Sequence, residues 1–187
     1  VPLKEAFIFI NDLVRSERID HVYIGALAAT AHGRPRTTSD IDIVVVIHPK
    51  DIGKFLGLIE EYGLSLGERK EEIKRKLERG LPAKIPWDAA FSIDIRIATF
   101  TLDEEALSGA EDVSPRAGET FKVAPAEEIV VYKLARFARR DKGDIKGILQ
   151  MQRGALDWGR IERLAKITAD EAGKPEILNN LNTIKGW

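Results

Sequence analysis

The sequence predicts an α/β (α+β) chain: a mixed β-sheet core with helices mainly on one face, and a helical C-terminal part. Three observations carry that reading. An unbroken apolar run, Ile43-Val44-Val45-Val46-Ile47, follows Asp40-Ile41-Asp42, and β-branched residues at that density read as a strand buried on both faces. Residues 91–98, Phe-Ser-Ile-Asp-Ile-Arg-Ile-Ala, alternate apolar and polar groups, the period-two pattern of a second strand. Helical spacing appears at Leu3, Phe7, Ile10 and Val14 and returns through most of the chain beyond Pro125.

In chain order, Leu3 to Arg18 is a helix whose apolar stripe includes Ala6. Val22 to Ile24 is a short strand, and Ala26 to His32 an alanine-rich helix ended by Gly33. The strand from Ile41 to Ile47 is closed by His48-Pro49. Asp51 to Tyr62 is a helix with Ile52, Phe55, Leu56 and Ile59 turned inward, stopped by Gly63. Glu68 to Arg79 is nearly all charge, glutamates interleaved among lysines and arginines, and reads as a solvated helix.

Thr101 to Ala110 is a short helix in which Thr101 and Glu104 have capping-box spacing. Thr120 to Val123 is a strand. Pro125 opens a helix where its missing N–H costs nothing, and Glu127 and Glu128 complement the dipole of the first turn. That helix carries Lys133, Arg136 or Phe137, and Arg140 at helical spacing on one face; Gly143 and Asp144 interrupt it, and Ile145 to Met151 restarts it. Leu156, Trp158, Ile161 and Leu164 form a packing face further on, with Trp158 and Trp187 expected in core or interface. The chain therefore divides into a core over residues 1–124 and a helical region over 125–187 that covers the cleft.

Composition bounds the function. The 187 residues, 44 % of them hydrophobic, suffice for a sizeable core. Cysteine is absent, which removes disulfides, zinc–thiolate sites and thiol nucleophiles. A net charge of −1 provides no global field for nucleic acid, so a polynucleotide partner would need a local patch. No stretch has the length of a membrane helix, and Val1 to Ser16 reads as an amphipathic helix rather than a signal peptide. The expectation is a cytoplasmic protein with no membrane partner.

The chemistry-bearing residues cluster around the first strand. Side chains on a strand alternate sides, so Asp40 and Asp42 point the same way, about 7 Å apart. No basic residue lies between them in sequence. Two anions placed together need a cation, since otherwise one of them tends to hold a proton, and a divalent metal is the simplest such cation. Asp94 lies mid-strand among isoleucines, which is costly unless it is paired or metal-bound; a surface pair with Arg96 is the plain alternative. Upstream, Gly25-Ala26 stands at a strand-to-helix turn, where backbone N–H groups are available to phosphate. Arg34-Pro35-Arg36 and Thr37-Thr38-Ser39 then lead into the carboxylates.

Glycine turn, Arg-x-Thr-x-Asp-x-Asp and apolar strand in this order resemble the signature of the polymerase-beta-like nucleotidyltransferase superfamily. The version here, His32-Gly33-Arg34-Pro35-Arg36-Thr37-Thr38-Ser39-Asp40-Ile41-Asp42-Ile43, is most similar to the AbiEii-like, type IV toxin-related branch. Lys133 and Asp144, with Asp141 between them, resemble downstream motifs of that branch. The resemblance covers about residues 20–150. It implies a Mg²⁺-dependent enzyme that binds a nucleoside triphosphate such as ATP and transfers a nucleoside monophosphate to an acceptor, with two Mg²⁺ ions expected and Mn²⁺ as a substitute. It implies Asp40, Asp42 and Asp94 as metal-binding and catalytic residues, and Gly25, Ala26, Arg36, Lys133 and Asp144 as nucleotide-binding ones. One departure matters: the family usually has Gly or Ser where this chain has Ala26, so a hydroxyl on the phosphate is lost while the backbone amides remain.

The acceptor is open among RNA or tRNA, protein and a small molecule such as an antibiotic. A homo-oligomer and an antitoxin-like partner are both compatible with the resemblance. A rival reading is a degenerate nucleotide-binding or regulatory module of the same fold, for which Ala26 argues and the three aspartates argue against. From the residues alone, Lys133 belongs either to an exposed basic stripe paired with Asp141 and Asp144 or to the triphosphate. In the second case its replacement by glutamine is expected to leave the melting temperature nearly unchanged.

Overall fold

The computed structural model describes residues 2–116 and 119–187, with the side chains of 115, 116 and 119 excepted. In chain order the elements are α1 (Pro2–Ser16), β1 (His21–Tyr23), α2 (Gly25–His32), β2 (Asp40–Val45), α3 (Ile52–Glu61), α4 (Lys70–Glu78), β3 (Ala83–Pro86), β4 (Ser92–Ile97), α5 (Thr101–Ser108), β5 (Glu111–Arg116), β6 (Glu119–Val123), α6 (Ala126–Leu134), α7 (Arg139–Met151), α8 (Trp158–Ala172) and α9 (Glu176–Lys185). They form two compact units, neither a single stretch of chain: one takes Val1–Tyr23 and Thr38–Thr99, the other Ile24–Thr37 and Phe100–Trp187. This partition differs from a chain-order division at residue 124. No helix among the described residues is long and apolar enough to cross a membrane.

The first unit holds a four-stranded mixed sheet in the order β3-β4-β2-β1. The two central strands, β2 and β4, are parallel; β1 and β3 flank them antiparallel. This mixture follows from the connections. A parallel pair needs a long crossover, here supplied by α3, α4 and β3 between β2 and β4. Ile41, Ile43, Ile93 and Ile95 are fully or almost fully buried, as are Ile10, Leu13 and Val14 of α1, which packs on β2 and β4. The expected inward face of α3 is observed, with Ile52, Phe55, Leu56 and Ile59 all buried. The charged segment beyond it does form a helix, α4, which buries only Ile73 and Leu77.

The second unit is mostly helical. Its α2 packs on α6 and α7, α6 on α8, and α8 on both α5 and α9. The core comprises Ile129, Val130, Val131 and Leu134 of α6, Ile145 and Ile148 of α7, and Ile161, Leu164 and Ala165 of α8. The strands β5 and β6 form an antiparallel hairpin.

Three local expectations are corrected. The break in the helical region is not at Gly143 and Asp144, which lie inside α7. It falls at Phe137, whose φ of +49° takes the chain out of the helix, with its N–H donating to Lys133 O at 2.7 Å. Lys133 and Arg140 are thus on different helices. The start of α5 is capped by Asp103, which accepts from Phe100 N at 3.1 Å, while the Thr101 hydroxyl donates to Glu171 at 2.5 Å. Finally, β3 and β5 have no counterpart in the expected element order.

Candidate active site

Three of the expected site residues meet on one face of the first unit's sheet. In the parallel register Asp42 stands beside Asp94 and Asp40 beside Ser92. Neighbours in register point to the same side, and residues two apart on a strand share a face. Asp40, Asp42, Ser92 and Asp94 therefore project together, while Ile41, Ile43, Ile93 and Ile95 line the buried side. The isoleucine–aspartate alternation does both tasks at once, anchoring the strands by one face and aligning carboxylates on the other.

The Ser92 hydroxyl lies 2.7 Å from Asp40 Oδ1 and 3.1 Å from Asp94 Oδ1. Its one proton serves one carboxylate at a time. Ser39 donates to Asp40 Oδ2 at 3.2 Å, and Thr38 Oγ1 accepts from Asp40 N at 3.2 Å. These two hydroxyls of the turn before β2 fix where the strand begins and how its first carboxylate is held.

One cation on this face is a lysine of the protein itself. Lys84 of β3 sits opposite Asp94 in the antiparallel register, and its Nζ lies 3.0 Å from Asp40 Oδ1 and 3.6 Å from Asp94 Oδ1. Sequence reasoning missed it. A lone lysine in Pro82-Ala83-Lys84-Ile85-Pro86 gives no signal among 29 lysines and arginines, and the prolines disguise the strand.

The two carboxylates Lys84 touches are tuned apart. Burial raises the Asp94 carboxyl above its ordinary value; Lys84 and Ser92 pull it back, the Asp40 charge pushes it up again, and the net displacement is upward. At Asp40 burial also pushes upward, but hydrogen bonds from Ser92, Lys84 and Ser39 outweigh it and hold the group below its ordinary value. Neighbouring acids displaced in opposite directions suit a division into proton acceptor and permanent anion.

Among the described residues no group of three His, Cys, Asp or Glu side chains is arranged as a ready cation cage. The donor chemistry nevertheless fits a hard divalent cation. Carboxylate oxygens of Asp40 and Asp94 already close on an ammonium, with a hydroxyl beside them, and all-oxygen donor sets suit Mg²⁺.

The remaining expected residues lie in the second unit. Gly25 begins α2 with φ +64°, a conformation that strongly favours glycine, after an extended Ile24. No side chain caps this helix and its first turn carries no acid; the first turn of a helix is where backbone N–H groups lack intrahelical partners. The other end of α2 is pinned: His32 Nε2 lies 2.7 Å from Ala124 O, and Gln152 Nε2 donates to His32 O at 3.2 Å.

Beyond α2, the chain passes tightly over α7. A Cβ on Gly33 would lie 3.1 Å from Ile148 N, and one on Gly147 would lie 3.3 Å from Arg34 N. That close approach lets Arg36 fork onto Asp144, Nε to Oδ1 at 2.7 Å and Nη2 to Oδ2 at 3.0 Å. Lys133 Nζ is 2.6 Å from Asp144 and 3.6 Å from Asp141. Arg136 clasps Asp141 with two bonds of 2.8 Å, and Ala138 N donates to the same carboxylate at 3.0 Å. The result is an alternating row, Arg36–Asp144–Lys133–Asp141–Arg136, three cations on two anions. Burial pushes both aspartates up, yet the hydrogen bonds from Arg136 to Asp141, and from Arg36 and Lys133 to Asp144, hold them below their ordinary values.

This geometry corrects the expectation for Lys133. It is not part of a solvated stripe: the residue is only 4 % exposed, and its ammonium is held by two buried carboxylates. The pairing with Asp141 and Asp144 is real, but it is an interior pairing.

No protein-family model and no curated protein matches the chain in sequence. Solved structures do match it in fold. The solution structure of the antibiotic-resistance factor ANT(2'')-Ia superposes with a TM-score of 0.60 at 14 % identity, over 91 % of this chain and 95 % of that one. The crystal structure of ANT(2'')-Ia in complex with adenylyl-2''-tobramycin gives 0.55 at 14 % identity, over 89 % of this chain and 97 % of that one. The likeness gives this chain the fold of nucleotidyltransferases.

Proposed function

We propose that the chain is a Mg²⁺-dependent nucleotidyltransferase moving a nucleoside monophosphate from a triphosphate to an acceptor hydroxyl. The single observation that carries this reading is the register of β2 on β4, which sets Asp42 beside Asp94 with Asp40 on the same face. Asp40, Asp42 and Asp94 are the residues that would hold Mg²⁺, or Mn²⁺ in its place. When bound, such ions polarise the α-phosphate and neutralise charge on the departing pyrophosphate.

Asp94, on the same face as Asp40 and Asp42, would take the proton from the acceptor hydroxyl. The acceptor oxygen would then bond to the α-phosphorus as the bond to the β-phosphate oxygen breaks, and pyrophosphate leaves. Asp40, which accepts hydrogen bonds from Ser92 and Ser39, would remain an anion throughout. The Gly25 and Ala26 amides would donate to phosphate oxygens. Arg36, with 27 % of its side chain exposed, is the member of the ionic row suited to phosphate, with Asp144 and Lys133 fixing its direction from beneath. A small polyhydroxyl acceptor is the class favoured, by analogy with the tobramycin adduct held by the structural neighbour and by the absence of a strong basic field on this chain. RNA and the AbiEii-like toxin role remain the other arms of the test.

A second reading has its own observation. Lys84 on the carboxylate face would suit a degenerate module that binds nucleotide without turning it over. Incubation with each α-labelled triphosphate, Mg²⁺, and in turn an aminoglycoside panel, total RNA or the protein alone decides between them. Transfer of label to one acceptor class by wild type, lost in Asp42→Asn, is the expected result. Triphosphate binding with no label transferred to any acceptor would favour the module.

A further inference from the structure

We propose that Lys84 is a built-in competitor for the metal, an ammonium resident on the carboxylate face that must swing away before a divalent cation can bind there. The inference rests on the metal-dependent reading above and adds a residue to it. Lys84 Nζ is placed on Asp40 Oδ1 and Asp94 Oδ1, at 3.0 and 3.6 Å, and the same two oxygens are donors an incoming Mg²⁺ needs. The two cations cannot share them, since an ammonium has no lone pair to offer a metal and only its charge to set against one.

The lysine is built to leave. Its backbone is fixed, because Ala83 and Ile85 on either side of it are 0 % and 1 % exposed, and β3 is held to β4 through Ala83, Lys84, Ile85 and Pro86. Its side chain is 56 % exposed, and a four-carbon tether ending in a well-hydrated ammonium can turn to water at little cost. Asp40 and Asp94, by contrast, are the less exposed partners, at 35 % and 27 %. The anions stay and the cation is exchangeable. Without metal, Lys84 relieves the repulsion among the aspartates; with metal, it is displaced by a cation of twice its charge.

The test is a Mn²⁺ titration of the full chain, following free Mn²⁺ by electron paramagnetic resonance, in wild type, Lys84→Met, Lys84→Gln and Asp40→Asn. Both Lys84 variants should bind Mn²⁺ about tenfold more tightly than wild type, or about 1.4 kcal/mol, and Asp40→Asn should bind it more weakly. Saturating Mn²⁺ should also raise the labelling of Lys84 by dilute acetic anhydride, read by mass spectrometry in the wild-type chain, so the conclusion does not depend on a variant's folding. Unchanged or weaker binding in the Lys84 variants, with Asp40→Asn still impaired, would overturn the competition and leave the metal reading standing. So would Lys84 labelling that ignores Mn²⁺. Failure of every chain, wild type included, to bind Mn²⁺ at millimolar concentration would remove the metal reading and this proposal with it.

Discussion

Lysine meets aspartate in both units of this protein, with opposite consequences. On the sheet of the first unit, Lys84 reaches Asp40 and Asp94 from a side chain that is 56 % exposed. In the second unit, Lys133 reaches Asp144 and Asp141 with all three side chains at most 6 % exposed. The chemistry is the same and the solvent is not. An exposed pair gains about 0–1 kcal/mol and can be exchanged for other partners. A buried pair cannot be opened by halves, because the group left behind is a charge without water, at about 3–5 kcal/mol. The first arrangement suits a site that must change occupants; the second suits a brace that holds Arg36 and three segments of chain in one relation.

The largest expected effect is therefore on stability, and it lies at Lys133. Lys133→Gln should lower the unfolding free energy by about 3 kcal/mol, read from urea denaturation. A midpoint within error of wild type would mean the ionic row is not a brace. Acid should act on the same row. Asp141 and Asp144 are held below their ordinary values, so the unfolded chain binds protons that the folded chain refuses, and stability rises with pH across that interval. Their contribution is fully present above about pH 4, near the unfolded carboxylate value, and is lost as pH falls through the folded values. Urea midpoints taken between neutral and acid pH should show this loss reduced in Asp144→Asn, against an otherwise lower baseline. An identical acid slope in both chains would locate the sensitivity elsewhere.

The carboxylate face should show the reverse profile, large in function and small in fold. Asp42→Asn removes one of two carboxylates standing side by side in register, so it should abolish transfer while changing metal-free stability by less than Lys133→Gln does. A melting temperature lowered by several degrees would make Asp42 a structural ion-pair partner. Smallest of all, Lys84→Met should change metal-free stability by no more than about 1 kcal/mol, measured by the same denaturation.

The same contrast explains what was legible in the sequence. The strands β2 and β4 were readable because isoleucine and aspartate alternate with period two, and a buried face must show that period. From them the shared face of Asp40, Asp42 and Asp94 follows. Lys84 was not readable: β3 has four residues, too few for a period, and its meaning lies in its register against β4. That a lysine stands on Asp40 and Asp94 depends on that pairing.

The break at Phe137 was hidden for a related reason. Ala135, Arg136, Phe137 and Ala138 include no glycine or proline, and a positive φ on phenylalanine is sustained by tertiary contacts, here a stack on Trp187 at 6.1 Å. Conversely, Gly143 and Asp144 look like punctuation but lie inside α7, where Asp144 is held by Arg36 and Lys133. Trp187, expected in core or interface, is 44 % exposed and carries the Lys146 ammonium over its ring at 4.5 Å.

The most direct test of the account compares one triphosphate labelled at the α-phosphate with the same triphosphate labelled at the γ-phosphate, each given to wild type and to Asp94→Asn with Mg²⁺ and the responsive acceptor. Nucleotidyl transfer predicts that α-label moves to the acceptor, γ-label leaves in pyrophosphate, and both processes collapse in Asp94→Asn while triphosphate is still bound. Label on the acceptor from the γ-position, γ-label released as orthophosphate, or undiminished transfer by Asp94→Asn would contradict it.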